Sequence, residues 1–192
     1  MRWLWGFVGI SVAAVLATLQ LGFRPQNSLK TSPSGSVETS SVSMVISSPA
    51  FGNDQIVPIR FTCNGRNVSP ALAISGVPEK AKSLVLIVDD PDAPFGVFTH
   101  WILWNITPAT KSIGEGKMPE GAVSGLNSNG RPGYSGPCPA SGLHRYFFTV
   151  IALDSVVGLN GQAKRSELEA AMRGHVVGEA HFYGRYNAKL TE

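Results

Sequence analysis

The sequence predicts a mainly β domain with antiparallel sheets and helices at an edge or end. Its 21 glycines and 13 prolines divide the chain into short segments, as expected where strands are joined by tight loops. Most of these segments are rich in β-branched and aromatic residues, and the one convincing helix follows them late in the chain. With 43% hydrophobic and 15% charged residues, the chain can bury a core and is unlike a disordered protein.

The chain begins with an apolar segment, residues 1–23, that differs from everything after it. Its apolar stretch of about 20 residues has the length that crosses a bilayer as a helix. A cleaved signal peptide would use the small residues within 15–17, whereas an uncleaved anchor would place Trp3 and Trp5 at the membrane interface. Both interpretations stay open. Either one predicts an exported, periplasmic or extracytoplasmic protein, which is secreted or held at the membrane by this segment.

A Ser/Thr-rich segment, residues 24–43, follows and has almost no large apolar side chains. Because it cannot bury enough surface to fold, we predict a disordered tether. The folded domain then occupies residues 44–192, which is an ordinary size for a single domain.

The first part of the domain is predicted as a series of strands. Segment 43–51 alternates apolar and small polar residues, segment 56–65 ends in an Asn-Gly turn pair, and segment 71–78 closes at Gly76. Segment 82–90 is apolar enough to be buried on both faces, and the prolines after it end its pairing.

Segment 99–108 is predicted as the next strand, and residues 111–142 as a long loop region that carries function. Alternation along this strand divides its side chains between two faces. One face has Trp101, Leu103 and Asn105, and the other has Ile102, Trp104 and Ile106.

The last part of the domain contains a long central strand, a helix and a final strand. The central strand is predicted over 144–154 and the final strand over 175–186. Between them, Ser166 and Glu169 have the spacing of a capping box, and Gly174 is placed to end the helix.

Ionisable side chains are concentrated where the predicted strands end or begin. Asp90 and Asp92 follow the most apolar strand, and His100 opens the next one. His144 and Tyr146 open the central strand. Because antiparallel neighbours place these ends side by side, we expect the five side chains to converge at one end of the sheet. Each also has an ordinary structural interpretation, such as a turn for Asp90 and half-buried strand positions for the histidines.

Such a site suits a small anion, since imidazoles and a phenol donate hydrogen bonds to oxyanions such as phosphate. Nearby carboxylates would keep an imidazole charged, or would bind the ammonium of a zwitterionic headgroup. A metal site is the second hypothesis, although no His-x-x-x-His or Cys-x-x-Cys spacing occurs. Hydrolysis is the third: Ser135, Cys138 and Ser141 precede His144, but the sequence has no Gly-x-Ser-x-Gly elbow.

Two other features limit the function classes. The net charge of +3 is mild and the basic residues form no stripe, so a nucleic-acid partner is not predicted. Cys63 and Cys138 are the two cysteines of the chain. In an exported protein such a pair favours a disulfide, and two free thiols remain the alternative.

The segments "LVLIVDDPDAP", "HW" and "GYSGPCPASGLHRYFF" together resemble the phosphatidylethanolamine-binding protein (PEBP) family, specifically its bacterial Raf-kinase-inhibitor-like branch. The resemblance extends from "FTCNGRNVSPALAISGVP" to "GHVVGEAHFYGRY" and so covers essentially the whole folded part. One departure is Ala140, where bacterial members commonly have a second proline after the cysteine. This change would loosen the rim of the loop more than the anion site.

The resemblance implies a Greek-key fold of two antiparallel sheets with peripheral helices. It also implies a pocket for phosphate-like anions or phospholipid headgroups, with no cofactor, and a binding or inhibitory function that is not enzymatic. Kinases or proteases are the protein targets that the family implies, and homodimers occur in the bacterial branch. Trp101 would support the pocket wall. Carried over by motif, the pocket residues are Asp90, Asp92, His100, Gly136, Pro137, His144 and Tyr146.

Overall fold

The computed structural model describes residues 43–189, so the predicted leader and nearly all of the predicted tether lie outside the described residues. The predicted mainly β fold is confirmed, with nine strands and one α-helix in this range. In chain order these elements are β1 (Val45–Ser47), β2 (Gln55–Ile56), β3 (Leu72–Ser75), β4 (Ser83–Asp90), β5 (Phe98–Ile106), β6 (Ser112–Ile113), β7 (Val123–Ser124), β8 (His144–Leu153), α1 (Arg165–Met172) and β9 (Val176–Tyr186).

The strands form two sheets. The small sheet has the order β1-β3-β6, and the large sheet has the order β2-β9-β8-β4-β5-β7. Neighbours are antiparallel except for the parallel pair β2–β9. Because β4 lies between β5 and β8 and runs opposite to both, its last residues lie beside the first residues of its neighbours. This arrangement brings the predicted site residues to one end of the large sheet.

The apolar residues of β4 are buried on both faces of the large sheet. One face packs against the small sheet and contains Leu86 and Val88 of β4, and the other packs under α1 and contains Val85 and Ile87. This agrees with the predicted burial of both faces of the apolar strand. The helix contributes Leu168, which is fully buried in the second core.

The predicted alternation along β5 is wrong at its end. Ile106 packs with Trp101 and Leu103 in the core between the sheets, and not on the face of Trp104. The cause is a bulge at Asn105, which has a positive φ of 57° and shifts the pairing register with β4. The Asn105 side chain stabilises this bulge by donating to the Val157 carbonyl at 2.9 Å and accepting from the Val157 N–H at 2.8 Å.

The segment predicted as a second strand, 56–65, is also different. Pairing with β9 ends at Ile56, and Pro58 precedes a short 3₁₀ helix, Ile59–Phe61. Proline has no N–H for a β-ladder, so the chain turns here instead of continuing as a strand.

The helix starts two residues earlier than its predicted cap requires, since its N-cap is Lys164 and not Ser166. It begins at Arg165, and the carboxylate of Glu167 accepts a hydrogen bond from the Lys164 N–H at 2.9 Å. Glu169 instead pairs with Arg165 one turn before it. Within residues 43–189 no helix is long and apolar enough to cross a bilayer.

Candidate functional site

A cavity of about 630 Å³ opens where β4 ends and β5 and β8 begin. Asp90, His100 and His144 line it, together with Gly136 of the loop before β8. The antiparallel pairing explains their convergence, because Asp90 pairs with the first residue of β5 and its neighbour Asp89 pairs near the start of β8. The structure therefore brings four of the seven predicted residues to the cavity.

Asp90 and His144 form a buried pair on the cavity floor. His144 Nδ1 lies 2.7 Å from Asp90 Oδ2, and its Nε2 lies 3.1 Å from the carbonyl oxygen of Ser141. A carbonyl oxygen can only accept, and an ionised carboxylate also only accepts. Both contacts are hydrogen bonds at once only when the ring carries both protons, so this geometry suits a charged imidazolium.

His100 is held differently. Its Nδ1 lies 2.5 Å from the carbonyl oxygen of Ser135, so Nδ1 is the nitrogen that carries the proton. Burial lowers the pKa of His100, and the Ser135 carbonyl and the Asp90 carboxylate offset this only in part. The floor thus combines two imidazoles in different surroundings with one carboxyl group.

Tyr146 lies beneath the floor and does not line the cavity. Its ring contacts both imidazoles, edge-on to His100 at 5.2 Å between centroids and stacked against His144 at 6.4 Å. Its hydroxyl is buried beside the Asp90 carboxylate. Burial first, and then the Asp90 carboxylate, raise the pKa of this phenol. Tyr146 was predicted as a ligand-binding residue, and in the structure its ring contacts both imidazoles without being part of the cavity lining.

Asp92 also lies away from the cavity, although it was expected to be a second pocket carboxylate. Its Oδ1 accepts from Arg145 Nη2 at 2.7 Å, and its Oδ2 accepts from the Arg145 backbone N–H at 2.9 Å. The Arg145 hydrogen bonds hold the pKa of Asp92 at about 2. Asp92 therefore fastens the turn after β4 to the start of β8. The Arg145 side chain is about half exposed while it forms this ion pair.

The wall of the cavity is formed by the loop before β8. The Gly136 N–H donates to Asn67 Oδ1 at 2.7 Å, and a Cβ on this glycine would lie 2.4 Å from the Phe61 carbonyl oxygen. Pro137 does not line the cavity, but its carbonyl accepts from the Cys63 N–H at 3.0 Å. Cys63 and Cys138 form a disulfide with Cα atoms 5.4 Å apart.

Trp101, which the resemblance places in support of the pocket wall, contacts Tyr134 of the loop before β8. Its ring packs edge-on against Tyr134 with centroids 5.8 Å apart. The Tyr134 hydroxyl in turn donates to the Phe61 carbonyl at 3.0 Å.

Sequence reasoning missed two parts of the site. One is Asn67, whose side chain reaches a glycine 69 residues further along the chain, and nothing in the local sequence indicates this contact. The other is the apolar mouth, in which Phe95 is fully exposed and Val97 is largely exposed. The sequence does contain a signal for this mouth, because Phe95 lies between Pro94 and Gly96 of a turn, where an aromatic side chain is exposed. No cluster of three metal-ligating side chains occurs within residues 43–189.

Comparisons with known proteins show the family to which this domain is similar. The family model described as phosphatidylethanolamine-binding protein matches residues 47–187. A UPF0098 protein of Methanothermobacter thermautotrophicus is 48% identical over 148 residues, which cover 74% of this chain and 98% of that protein. A UPF0098 protein of Pyrococcus abyssi is 47% identical over 154 residues, which cover 76% of this chain and 86% of that protein.

Two solved structures share the fold. The PEBP homologue CT736 of Chlamydia trachomatis is 40% identical with a TM-score of 0.74, and the match covers 77% of this chain and 99% of that one. YbcL of E. coli, a member of the mammalian PEBP family, is 28% identical with a TM-score of 0.71, and the match covers 75% and 98%. Since the family model covers most of the sequence and these relatives match over nearly their whole length, the chain belongs to the phosphatidylethanolamine-binding protein family.

Proposed function

We propose that the cavity binds phosphate-like anions, either free or as the headgroup of a phospholipid, without converting them. Membership of the family supports a binding function in general terms. The observation that carries the finer proposal is the His144 imidazole on the cavity floor, which Asp90 holds in the geometry of a charged imidazolium.

His144 is the donor that a ligand can reach. Its bond to Asp90 is short and buried, whereas its Nε2 contact with the Ser141 carbonyl is longer, at 3.1 Å, and exposed. If an oxyanion took the place of the Ser141 carbonyl, His144 Nε2 would donate to a charged acceptor and not to a neutral one. Charge-assisted hydrogen bonds are the stronger type. The cavity volume of about 630 Å³ lies within the usual range for small-molecule sites.

Two observations support a non-enzymatic function over hydrolysis. The sulfur of Cys138 is bonded to Cys63, and the Ser135 hydroxyl accepts a hydrogen bond from the Asn129 amide at 3.2 Å. A nucleophile would need to be held against a base instead.

The disulfide also supports the proposal that the domain works outside the cytoplasm, where such bonds persist. Thiol labelling of the protein in intact cells tests this, and two reactive cysteines would contradict it.

The binding proposal is tested by titrating the full chain with inorganic phosphate and with phosphorylethanolamine, followed through the histidine ring signals by NMR. We expect the His100 and His144 signals to move at millimolar ligand and that of His175 to stay. His144→Ala should abolish the response with the fold intact by circular dichroism. His175→Ala is the matched control, because His175 pairs with Asp154 at 2.8 Å in the same way but on the surface. Cavity imidazoles that do not respond at this concentration would refute the proposal.

A further inference from the structure

We propose that the cavity selects oxyanions that carry their own acidic proton, such as the monoanion of a phosphate monoester, over oxyanions of the same charge that carry none, such as a sulfate monoester. This inference rests on the proposed function and narrows it, because free phosphate and phosphate monoesters can carry such a proton, whereas the phosphodiester of an intact phospholipid headgroup carries none. The selecting group is Nε2 of His100.

The argument starts from the second nitrogen of the His100 ring. Nδ1 donates to the Ser135 carbonyl, so a neutral ring has a lone pair and no proton on Nε2. This nitrogen has no hydrogen-bond partner within residues 43–189, and the ring lines the cavity. Nε2 of His100 is therefore a hydrogen-bond acceptor that a ligand with a donor group could fill.

The neutral state of His100 follows from its surroundings. The ring is 4% exposed, and burial disfavours the charged form. Asp90 and Asp89 of β4 favour that form, His144 of β8 opposes it, and the pKa of His100 is lowered overall. Tyr146 of β8 also faces the ring, but its phenol is neutral because burial raises its pKa.

The floor therefore presents complementary groups to one ligand. The Nε2–H of His144 is a donor for an anionic oxygen, whereas His100 Nε2 is an acceptor without a donor. Both oxygens of Asp90 already accept hydrogen bonds, from His144 and from the Asp92 N–H. An oxyanion with only lone pairs that covered His100 Nε2 would leave this acceptor without a proton to share, and such a loss is costly. A phosphate monoester monoanion offers a P–OH donor and anionic oxygens on the same tetrahedral group.

Methyl phosphate and methyl sulfate test this directly. The comparison is made at pH 5.5, where methyl phosphate is mostly a monoanion because the second pKa of a phosphate monoester is about 6. The ¹⁵N ring shifts of His100 are recorded first at this pH, to establish that the ring is neutral there. Methyl phosphate then matches methyl sulfate in charge and shape and differs in its proton. By calorimetry on the full chain we expect methyl phosphate to bind about tenfold more tightly or better, as the loss of one buried hydrogen bond implies. Its affinity should fall as pH rises above 6 and the ligand loses its proton.

His100→Asn is the informative variant. The asparagine amide N–H can still donate to the Ser135 carbonyl, but nothing replaces the Nε2 acceptor. We expect the preference for methyl phosphate to disappear in this variant and to persist in His181→Asn, where the histidine lies on the outer face against Phe147.

Each outcome has a distinct meaning. Equal affinities in the wild type, or a preference that survives His100→Asn, would overturn the inference and leave the proposed function standing. Failure of both ligands and of inorganic phosphate to bind would overturn the proposed function as well. The ¹⁵N ring shifts of His100 in the wild-type protein provide a test that needs no variant: a proton on Nε2 in the free protein would overturn the inference.

Discussion

Asp90 and Asp92 lie two residues apart, but their carboxylates have different surroundings. Asp90 is buried against His144, while Asp92 lies outside the cavity and binds Arg145 through both oxygens. The Asp92 N–H also donates to Asp90 Oδ1 at 2.8 Å, so the turn after β4 fixes both residues. Asp90 thus contributes its carboxylate to the cavity, and Asp92 stabilises the turn that positions Asp90.

The Asp92–Arg145 pair should contribute stability that depends on pH. The pKa of Asp92 is lowered to about 2 in the folded protein from an ordinary value of 3.8. A lowered folded pKa stabilises the protein above pH 4, and this contribution is lost as pH falls through about 2. Asp92→Asn should therefore lower the free energy of unfolding at pH 6, and its difference from wild type should shrink between pH 4 and pH 2.

Urea unfolding at several pH values measures this difference. The same substitution in an Arg145→Gln background is the control, where its effect should be smaller because the charge partner is gone. A difference that stays constant or grows on acidification would contradict the assignment of the low pKa to this pair.

At the scale of elements, the loop before β8 positions both imidazoles. Its Ser135 and Ser141 carbonyls face His100 and His144, so the position of this backbone sets the orientation of both rings. The loop is tied to the segment after the 3₁₀ helix by the Cys63–Cys138 disulfide and by the Gly136 hydrogen bond to Asn67. A covalent bond therefore constrains the wall of the site.

Removing this bond should weaken both the fold and the site. The disulfide joins residues 75 apart in sequence, and loss of a native disulfide typically costs about 2–5 kcal/mol. We expect the Cys63→Ser, Cys138→Ser double variant to unfold at lower urea concentration and to bind phosphate less tightly. Dithiothreitol treatment of the wild type should reproduce both effects. Unchanged phosphate affinity in both experiments would show that the hydrogen bonds alone hold the loop.

The ends of the strands could be predicted from the sequence, because the alternation of apolar and polar residues and the positions of prolines are local signals. Asp90, His100 and His144 could be placed together from the sequence, since a buried antiparallel strand must end beside the start of its neighbours. The features that sequence reasoning missed depend on distant partners. The Asn105 bulge needs Val157, which is 52 residues away, and the place of Asn67 depends on a loop folded against it.

The difference between local signals and distant partners also explains why Tyr146 and Asp92 do not line the cavity. Tyr146 follows His144 by two positions, so both side chains point to the same face of β8. Which of them reaches the cavity depends on the loop above the strand, and the sequence of β8 contains no signal for that. Asp92 has a partner, Arg145, 53 residues away, and only the folded turn reveals it.

At the scale of the whole molecule, the site lies at one end of the large sheet, beside the strand β4, whose apolar residues are buried on both faces. The floor residues extend from strand ends whose positions the β-ladders determine. The core under α1 touches none of them directly, although Arg165 of the helix pairs with Asp89 beside the site. Stability and ligand binding should therefore be separable by substitutions in this second core.

Leu168→Ala tests that separation. Leu168 is fully buried under the large sheet, and truncation of such a leucine typically costs about 2–5 kcal/mol. The helix and its Arg165 contact to Asp89 should persist, because alanine favours a helix and the contact lies on another side chain. We expect a lower urea midpoint with phosphate affinity unchanged to within about twofold, as for sites that share no contact. An affinity loss well beyond that would show that α1 supports the cavity floor through Arg165, and Arg165→Gln would then reproduce the loss without emptying the core.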